Sequence, residues 1–307
     1  MSVEGRGWAA IEFPAMGTHC RVVTDDADLA RRAVDVVSEL EERWSRFRPA
    51  SEVSELNRAG GRLCVVSELT FELVARAEQA RVATNGAFNP LMLEQLERLG
   101  YDRTWAQVAA VTDDPASITR PATNQPIELF ADVRAVRLPA GCRFDPGGIG
   151  KGLAGDLVAA ALLADGASAV QVELGGDVRV AGRPWGGQSW QVHVDDHDHG
   201  AEHAATISLP AGGVATSSVV RRRWRRGGTS VHHLIDPATG RSAQTDLDAV
   251  TCVAPTLWWA EVVAKVALAA GSTGAAEVFD RFGTSGVLVA PAGDQRYVVI
   301  DGKQVAA

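Results

Sequence analysis

Cysteine is sparse in this chain of 307 residues: Cys20, Cys64, Cys142 and Cys252 stand far apart, with no CxxC pair among them. That dispersal argues against a disulfide framework or a zinc ribbon. It reads as small buried apolar residues in a reducing compartment. An excess of positive charge is also missing. The net charge is −8, which argues against nonspecific nucleic-acid binding as the main task. The most apolar helix candidate, about Trp258 to Ala270, is interrupted by Glu261 and Lys265 and reads as too short for a bilayer. Residues Met1 to Ala10 carry no apolar signal core, so the expectation is a cytoplasmic protein without a transmembrane segment.

What is present is an ordinary globular composition, 46% hydrophobic and 22% charged, in a chain long enough to bury a large core. The expectation is a single domain over residues 1–307, either one elaborate unit or two intimate lobes. After a first strand at Cys20 to Thr24, apolar residues recur at helical spacing from Asp28 to Phe47. Ser51 and Ser67 read as caps of two further helices, the second ended by Asn85-Gly86, and a helix over about Pro90 to Leu99 stops at Gly100. Residues Thr104 to Gln125 read as a loop-dominated excursion. A helix over Ile149 to Leu163 leads into a mostly β region up to Val253. Helices at Leu257–Ala270 and Ala275–Phe282 and two closing strands complete the chain. The pattern predicts an α+β fold, a large mixed or antiparallel sheet flanked by helices.

The most informative stretch is Asp145-Pro146-Gly147-Gly148-Ile149-Gly150-Lys151-Gly152-Leu153-Ala154-Gly155-Asp156. Glycines let backbone approach a ligand closely, and the unpaired first amides of a helix favour anions. A lysine inside the turn adds positive charge. The stretch reads as a phosphate- or pyrophosphate-binding helix start, with a glycine-rich connection before a tightly packed helix as the alternative. It fits neither the P-loop, because Gly152 follows the Gly-Lys pair, nor GxGxxG, because Leu153 stands where the last glycine belongs.

Its companions occur in a fixed order: Met16-Gly17-Thr18, Trp44-Ser45-Arg46-Phe47, Asn85-Gly86-Ala87-Phe88-Asn89-Pro90, Val172-Glu173-Leu174-Gly175-Gly176-Asp177, Ala215-Thr216-Ser217-Ser218 and His232-His233-Leu234-Ile235-Asp236-Pro237. Together with the glycine turn they resemble the ApbE family, the FAD:protein FMN transferases, from about Phe13 to Gly271. The resemblance implies a T-fold-related architecture and a reaction in which FAD is cleaved at its pyrophosphate. FMN is joined through a phosphoester to a threonine hydroxyl of an acceptor protein, and AMP is released. Such phosphoryl transfer rests on positioning and charge neutralisation. Mg²⁺ belongs to the implied chemistry. An FAD-binding protein without transfer, and a slow FAD pyrophosphatase, are the alternatives.

Carried over by position, the resemblance implies that Met16 and Phe47 border the flavin or adenine. Ala87, Phe88 and Asn89 would form another wall. Gly147, Gly150, Lys151 and Leu153 would line the pyrophosphate region, and Ile235 would touch the cofactor. Gly150 and Glu261 fall at the metal position, while Lys151, His233 and Lys265 are the candidate catalytic side chains. The chain departs from the pattern at Glu261 and Lys265, where the family has Asp and Thr, and at Asn89, where it has Asp. Glu261 and Lys265 read either as an i, i+4 ion pair or as an ammonium in the metal's place. Arg221 to Arg226 reads as a hairpin facing solvent or phosphate rather than nucleic acid, and also suits docking of an acidic acceptor. The cluster of His193, His197, His199 and His203 reads as a solvated loop. Trp258-Trp259 reads as core or interface.

Overall fold

The computed structural model describes residues 8–108, 110–112, 120–184, 187, 189–194, 205–291, 296–300 and 303–306. Nine strands form one antiparallel sheet: Ala9–Ala15, Thr18–Thr24, Ala169–Leu174, Asp177–Gly182, Gly212–Ser218, Ala249–Ala254, Ser285–Val289, Arg296–Ile300 and Lys303–Ala306. Their order across the sheet is their order along the chain, and every neighbouring pair is antiparallel. The sheet is therefore a meander into which helices and small sheets are inserted. This is the expected α+β architecture, with the sheet wholly antiparallel. The strand at Ala9–Ala15 is absent from the sequence reading. It lies at the sheet edge, alternates half-buried and exposed residues, and carries Pro14, which weakens its signal.

Helix α1 spans Ala27–Trp44, with the Asp26 carboxylate accepting from the Asp28 and Leu29 amides. Ala30, Ala33, Val37, Leu40 and Trp44 form its buried stripe. It stops at Trp44, so Arg46 and Phe47 lie in the turn beyond it. Ser51 caps α2 (Glu52–Arg58) and Ser67 caps α3 (Glu68–Ala83), as expected. Asn85 and Gly86 end α3 with positive φ of 52° and 82°. The expected helix from Pro90 shortens to α4, Leu93–Arg98, because the Asn89 carboxamide oxygen accepts from the Leu91 amide and turns the chain first.

Helix α5 (Gly150–Ala164) follows a 3₁₀ turn at Pro146–Gly148. It packs against α1 and against α6, which runs over Leu257–Phe282 and is broken by non-helical backbone at Gly271. The two helices expected at the end of the chain are its two arms, before and after Gly271. Gly271, at φ 71°, bends it, and Asp246 accepts from the Ser272 amide and hydroxyl just beyond the kink. Taken end to end, α6 is long and apolar enough to cross a bilayer, but the break at Gly271 divides that length. Its apolar face is instead spent within the protein: Leu257, Ala260, Val263, Ala264 and Ala267 pack with Ala215, Val250 and Cys252 of the sheet. Cys20 and Cys252 are buried, and burial pushes their thiols up to about 11 and about 12.

Candidate functional site: a cavity with an ionic floor and an aromatic wall

A cavity of about 420 Å³ opens where the first hairpin, the turn after α1, the start of α5 and the middle of α6 meet. Met16 and Gly17, at φ 52° and 69°, form the two-residue hairpin turn at its rim. Phe47, Ala87, Phe88, Asn89, Gly147, Gly150, Lys151, His233, Ile235 and Lys265 join Met16 in the lining, so eleven separately inferred residues converge on one space. Two others do not line it. Leu153 lies in the core, 2% exposed, and its amide donates to the Ile149 carbonyl. Because α5 begins at Gly150, Leu153 falls on the face turned toward Ala154 and Val158 of the core rather than toward the cavity. Glu261 lies beneath the cavity, 1% exposed.

The floor is an ionic network between α5 and α6. Lys151 Nζ donates to Asp177 Oδ2 at 2.5 Å and to Glu261 Oε1 at 3.0 Å, and Lys265 Nζ donates to the same Glu261 oxygen at 3.2 Å. Glu261 Oε2 accepts from the Gly152 amide at 2.8 Å. Burial alone would raise the Glu261 pKa, but the two ammoniums and the Gly152 amide pull it down to about 2. Burial also works against the Lys151 ammonium, yet Asp177 and Glu261 outweigh it and raise its pKa. Burial lowers the Lys265 pKa, with Glu261 opposing the shift. Asp177 is anchored in turn by the Thr216 amide at 3.0 Å.

The glycines of the turn divide the two readings of it. Gly152 and Gly155 are packing residues: an added Cβ at Gly152 would lie 2.6 Å from Trp258 Cα, and one at Gly155 would lie 2.7 Å from Leu257 Cδ2. Gly147, Gly148 and Gly150 instead form the cavity surface. The two aspartates of the stretch also part company. Asp156 accepts from the Leu257 and Trp258 amides and so caps α6, whose own Thr256 makes no side-chain cap. Asp145 faces the cavity and pairs with Arg46 at 3.1 Å. Burial raises the Asp145 pKa against the pull of Arg46.

The wall is aromatic. Arg46 lies over the rings of Phe47 and Tyr101, 4.2 and 4.7 Å from their centroids, and donates to the Tyr101 carbonyl. Trp105 stands edge-on to Tyr101. Arg222 lines the same space, at φ 49°, and donates to the Tyr101 hydroxyl. His233 is held neutral: burial, then the positive charge of Arg222 and Lys265, pushes its pKa well below 6.5. Its Nδ1 is buried without a hydrogen-bond partner among the described residues. Asn89 is held on both sides, accepting from Leu91 N and donating to the Thr123 carbonyl.

A model of the ApbE family matches residues 16–288. The chain belongs to the ApbE family. Among its relatives, an FAD:protein FMN transferase of Treponema pallidum is 31% identical, covering 83% of this chain and 77% of its own. A protein of the same name from Salmonella typhimurium is 25% identical over 92% and 85% of the two chains. The crystal structure of an ApbE protein from Thermotoga maritima superposes with a TM-score of 0.83 at 25% identity, covering 94% of this chain and 96% of that one. The apo flavinyl transferase ApbE of Pseudomonas stutzeri, at 20% identity and TM-score 0.77 over 100% and 96% of the chains, shares the fold.

Against this ApbE frame, Glu261 does not suit the metal position expected at Gly150 and Glu261. Glu261 has both oxygens committed to Lys151, Lys265 and the Gly152 amide, and a lysine ammonium offers only donors. Among the described residues no group of three or more His, Cys, Asp or Glu side chains is placed to hold a metal ion. The donor set does not fit Mg²⁺. Elsewhere, Trp258 packs against Trp259 outside the cavity lining, as expected of core. The arginine run forms the expected hairpin, Arg223–Arg226 with Thr229–His232. His193 pairs with Thr206, while His197, His199 and His203 lie outside the described residues.

The sequence reading passed over Arg46, Tyr101 and Asp145 as cavity residues, and it gave Arg222 only as part of a run facing solvent or phosphate. Arg46 and Asp145 stood inside quoted motifs, and their signal was the charge of a residue flanking a motif aromatic or glycine. For Tyr101 no local signal exists, and for Arg222 the arginine run gave charge but not place, since both reach the cavity only through folding of the hairpin onto the chain after α4.

Proposed function

We propose that this chain is an FAD:protein FMN transferase acting on a threonine hydroxyl of an acceptor protein. The observation that carries the reading is the cavity itself: cationic side chains and a glycine turn at one end, an aromatic wall at the other, assembled from the family's motifs. FAD, the substrate, needs both halves, a polar clamp for the pyrophosphate and apolar surface for its rings. The acceptor oxygen attacks the FMN-side phosphorus. A P–O bond forms there as the bond to the AMP phosphate breaks, and AMP leaves with the electron pair. Lys265 and Lys151 are placed to neutralise charge developing on the phosphate oxygens. His233 lines the same cavity and is held neutral, the state a proton acceptor for the attacking hydroxyl requires. All four cysteines are free thiols, which supports the cytoplasm as the compartment.

One observation favours a second reading, a flavin-binding protein that does not transfer: Glu261, in the place of a metal ligand, is committed to two lysines. Incubation with FAD and a threonine-containing acceptor domain separates the readings. A gain on the acceptor of FMN less water, matched by AMP, is the expected result. AMP without acceptor labelling would mark a pyrophosphatase. Bound FAD with neither product would mark the binder.

A further inference from the structure

The cavity and the floor beneath it hold five cationic side chains, Arg46, Arg48, Lys151, Arg222 and Lys265, against four carboxylates, Glu41, Asp145, Asp177 and Glu261. Most of these charges are matched in place: Arg48 pairs with Glu41, Arg46 with Asp145, and Lys151 with Asp177. Lys265 shares Glu261 with Lys151 and is held by it at the cavity surface. Arg222 has a hydrogen bond to Tyr101 and no carboxylate partner among the described residues. The surplus positive charge therefore sits on fixed side chains that face the space where a dianionic pyrophosphate would lie. A divalent ion added here would meet the Lys265 and Lys151 ammoniums, and it would find Glu261 already engaged.

We propose that this chain grips the pyrophosphate of its flavin dinucleotide with Lys265 and Arg222, over the Lys151–Glu261 floor, and turns over without a divalent metal. The inference rests on the FAD reading above. It differs from a plain structural salt bridge in one respect: Lys265 is a substrate contact as well as a partner of Glu261. The geometry favours this because Lys265 bonds to Glu261 and still lines the cavity, together with Gly148, where an added Cβ would lie 3.7 Å from Lys265 Cε. Arg222 supplies the second anchor from the facing hairpin, and its left-handed backbone is consistent with a residue held in place for contact.

The test uses the intact chain and equilibrium binding of FAD, ADP and riboflavin, the last lacking any phosphate. With metal removed by EDTA, wild-type FAD affinity is expected to stay within about twofold of its value in millimolar Mg²⁺. Lys265→Met is expected to weaken FAD and ADP by about tenfold or more, leaving riboflavin unchanged, while Lys265→Arg retains most of the affinity. Arg222→Gln follows Lys265→Met with a smaller loss. A structural role alone would move all three ligands together. FAD affinity that climbs by about tenfold or more with Mg²⁺, saturating at one ion per chain, would overturn the proposal and leave the FAD reading standing. Equal losses for riboflavin and ADP in Lys265→Met would also overturn it. Absence of FAD binding with and without Mg²⁺ would overturn both.

Discussion

At the floor of the cavity Lys151, Asp177, Glu261 and Lys265 answer one another, whereas at the aromatic wall Phe47 stands 37% exposed, with the Arg46 guanidinium across its face and the Tyr101 ring tilted beside it. The floor joins two helices that cross closely, with Gly152 permitting the approach and Asp156 capping α6 from α5. The wall is a turn after α1 leaning on a short helix and a hairpin. The difference teaches that the two halves of the site carry different burdens. The floor is part of what holds the fold together, and substitution there costs stability as well as binding. The wall contributes mainly to recognition.

The sharpest way to break this contrast is Glu261→Ala, which leaves the Gly152 amide and the Lys265 ammonium without their acceptor. A loss of about 3–5 kcal/mol in urea-induced unfolding is expected. A loss below about 1 kcal/mol would remove the floor from the stability account. The same carboxylate gives the floor a pH signature. Its folded pKa is about 2, against an ordinary 4.5, so its stabilisation is complete above pH 4.5 and is lost as the pH falls through about 2. The stability gap between wild type and Glu261→Gln should therefore be flat above pH 4.5 and should close below it; a gap that widens toward acid contradicts the assignment.

Gly152→Ala is the next largest, about 1–3 kcal/mol in the same unfolding measurement, because its Cβ would press on the α6 backbone rather than on a flexible side chain. Phe47→Ala comes last. Its expected cost to stability is within about 0.5 kcal/mol, with FAD affinity weakened by about 0.5–1.5 kcal/mol in a fluorescence titration. If Phe47→Ala unfolded the protein as readily as Glu261→Ala, the division between floor and wall would fail.

How much of this was legible before folding follows the same line. The glycine turn, the capping serines and the motif residues on the wall are local signals, and the turn and the motif residues converged on one cavity. The floor was only half legible. Glu261 and Lys265 are an i, i+4 pair readable from spacing, but Lys151 meets Asp177 across 26 residues and Glu261 across 110, and no local pattern encodes those contacts. Leu153 was misplaced for a related reason: a motif position says which residues travel together, whereas helical phase decides which of them face the ligand. The break in α6 was legible, since Gly271 reads as a helix end, but its partner Asp246, which accepts from the Ser272 amide out of a distant loop, was not.

The central claim is that one cavity holds FAD with its pyrophosphate on the floor and a ring system on the wall. A crystal structure of the chain with FAD tests it most directly. The account predicts phosphate oxygens within hydrogen-bond reach of Lys265 Nζ and the Gly147–Gly150 backbone, with a ring of FAD against Phe47 and no metal between the phosphates and Glu261. FAD seated outside this cavity, or a divalent ion ligated by Glu261, would contradict it.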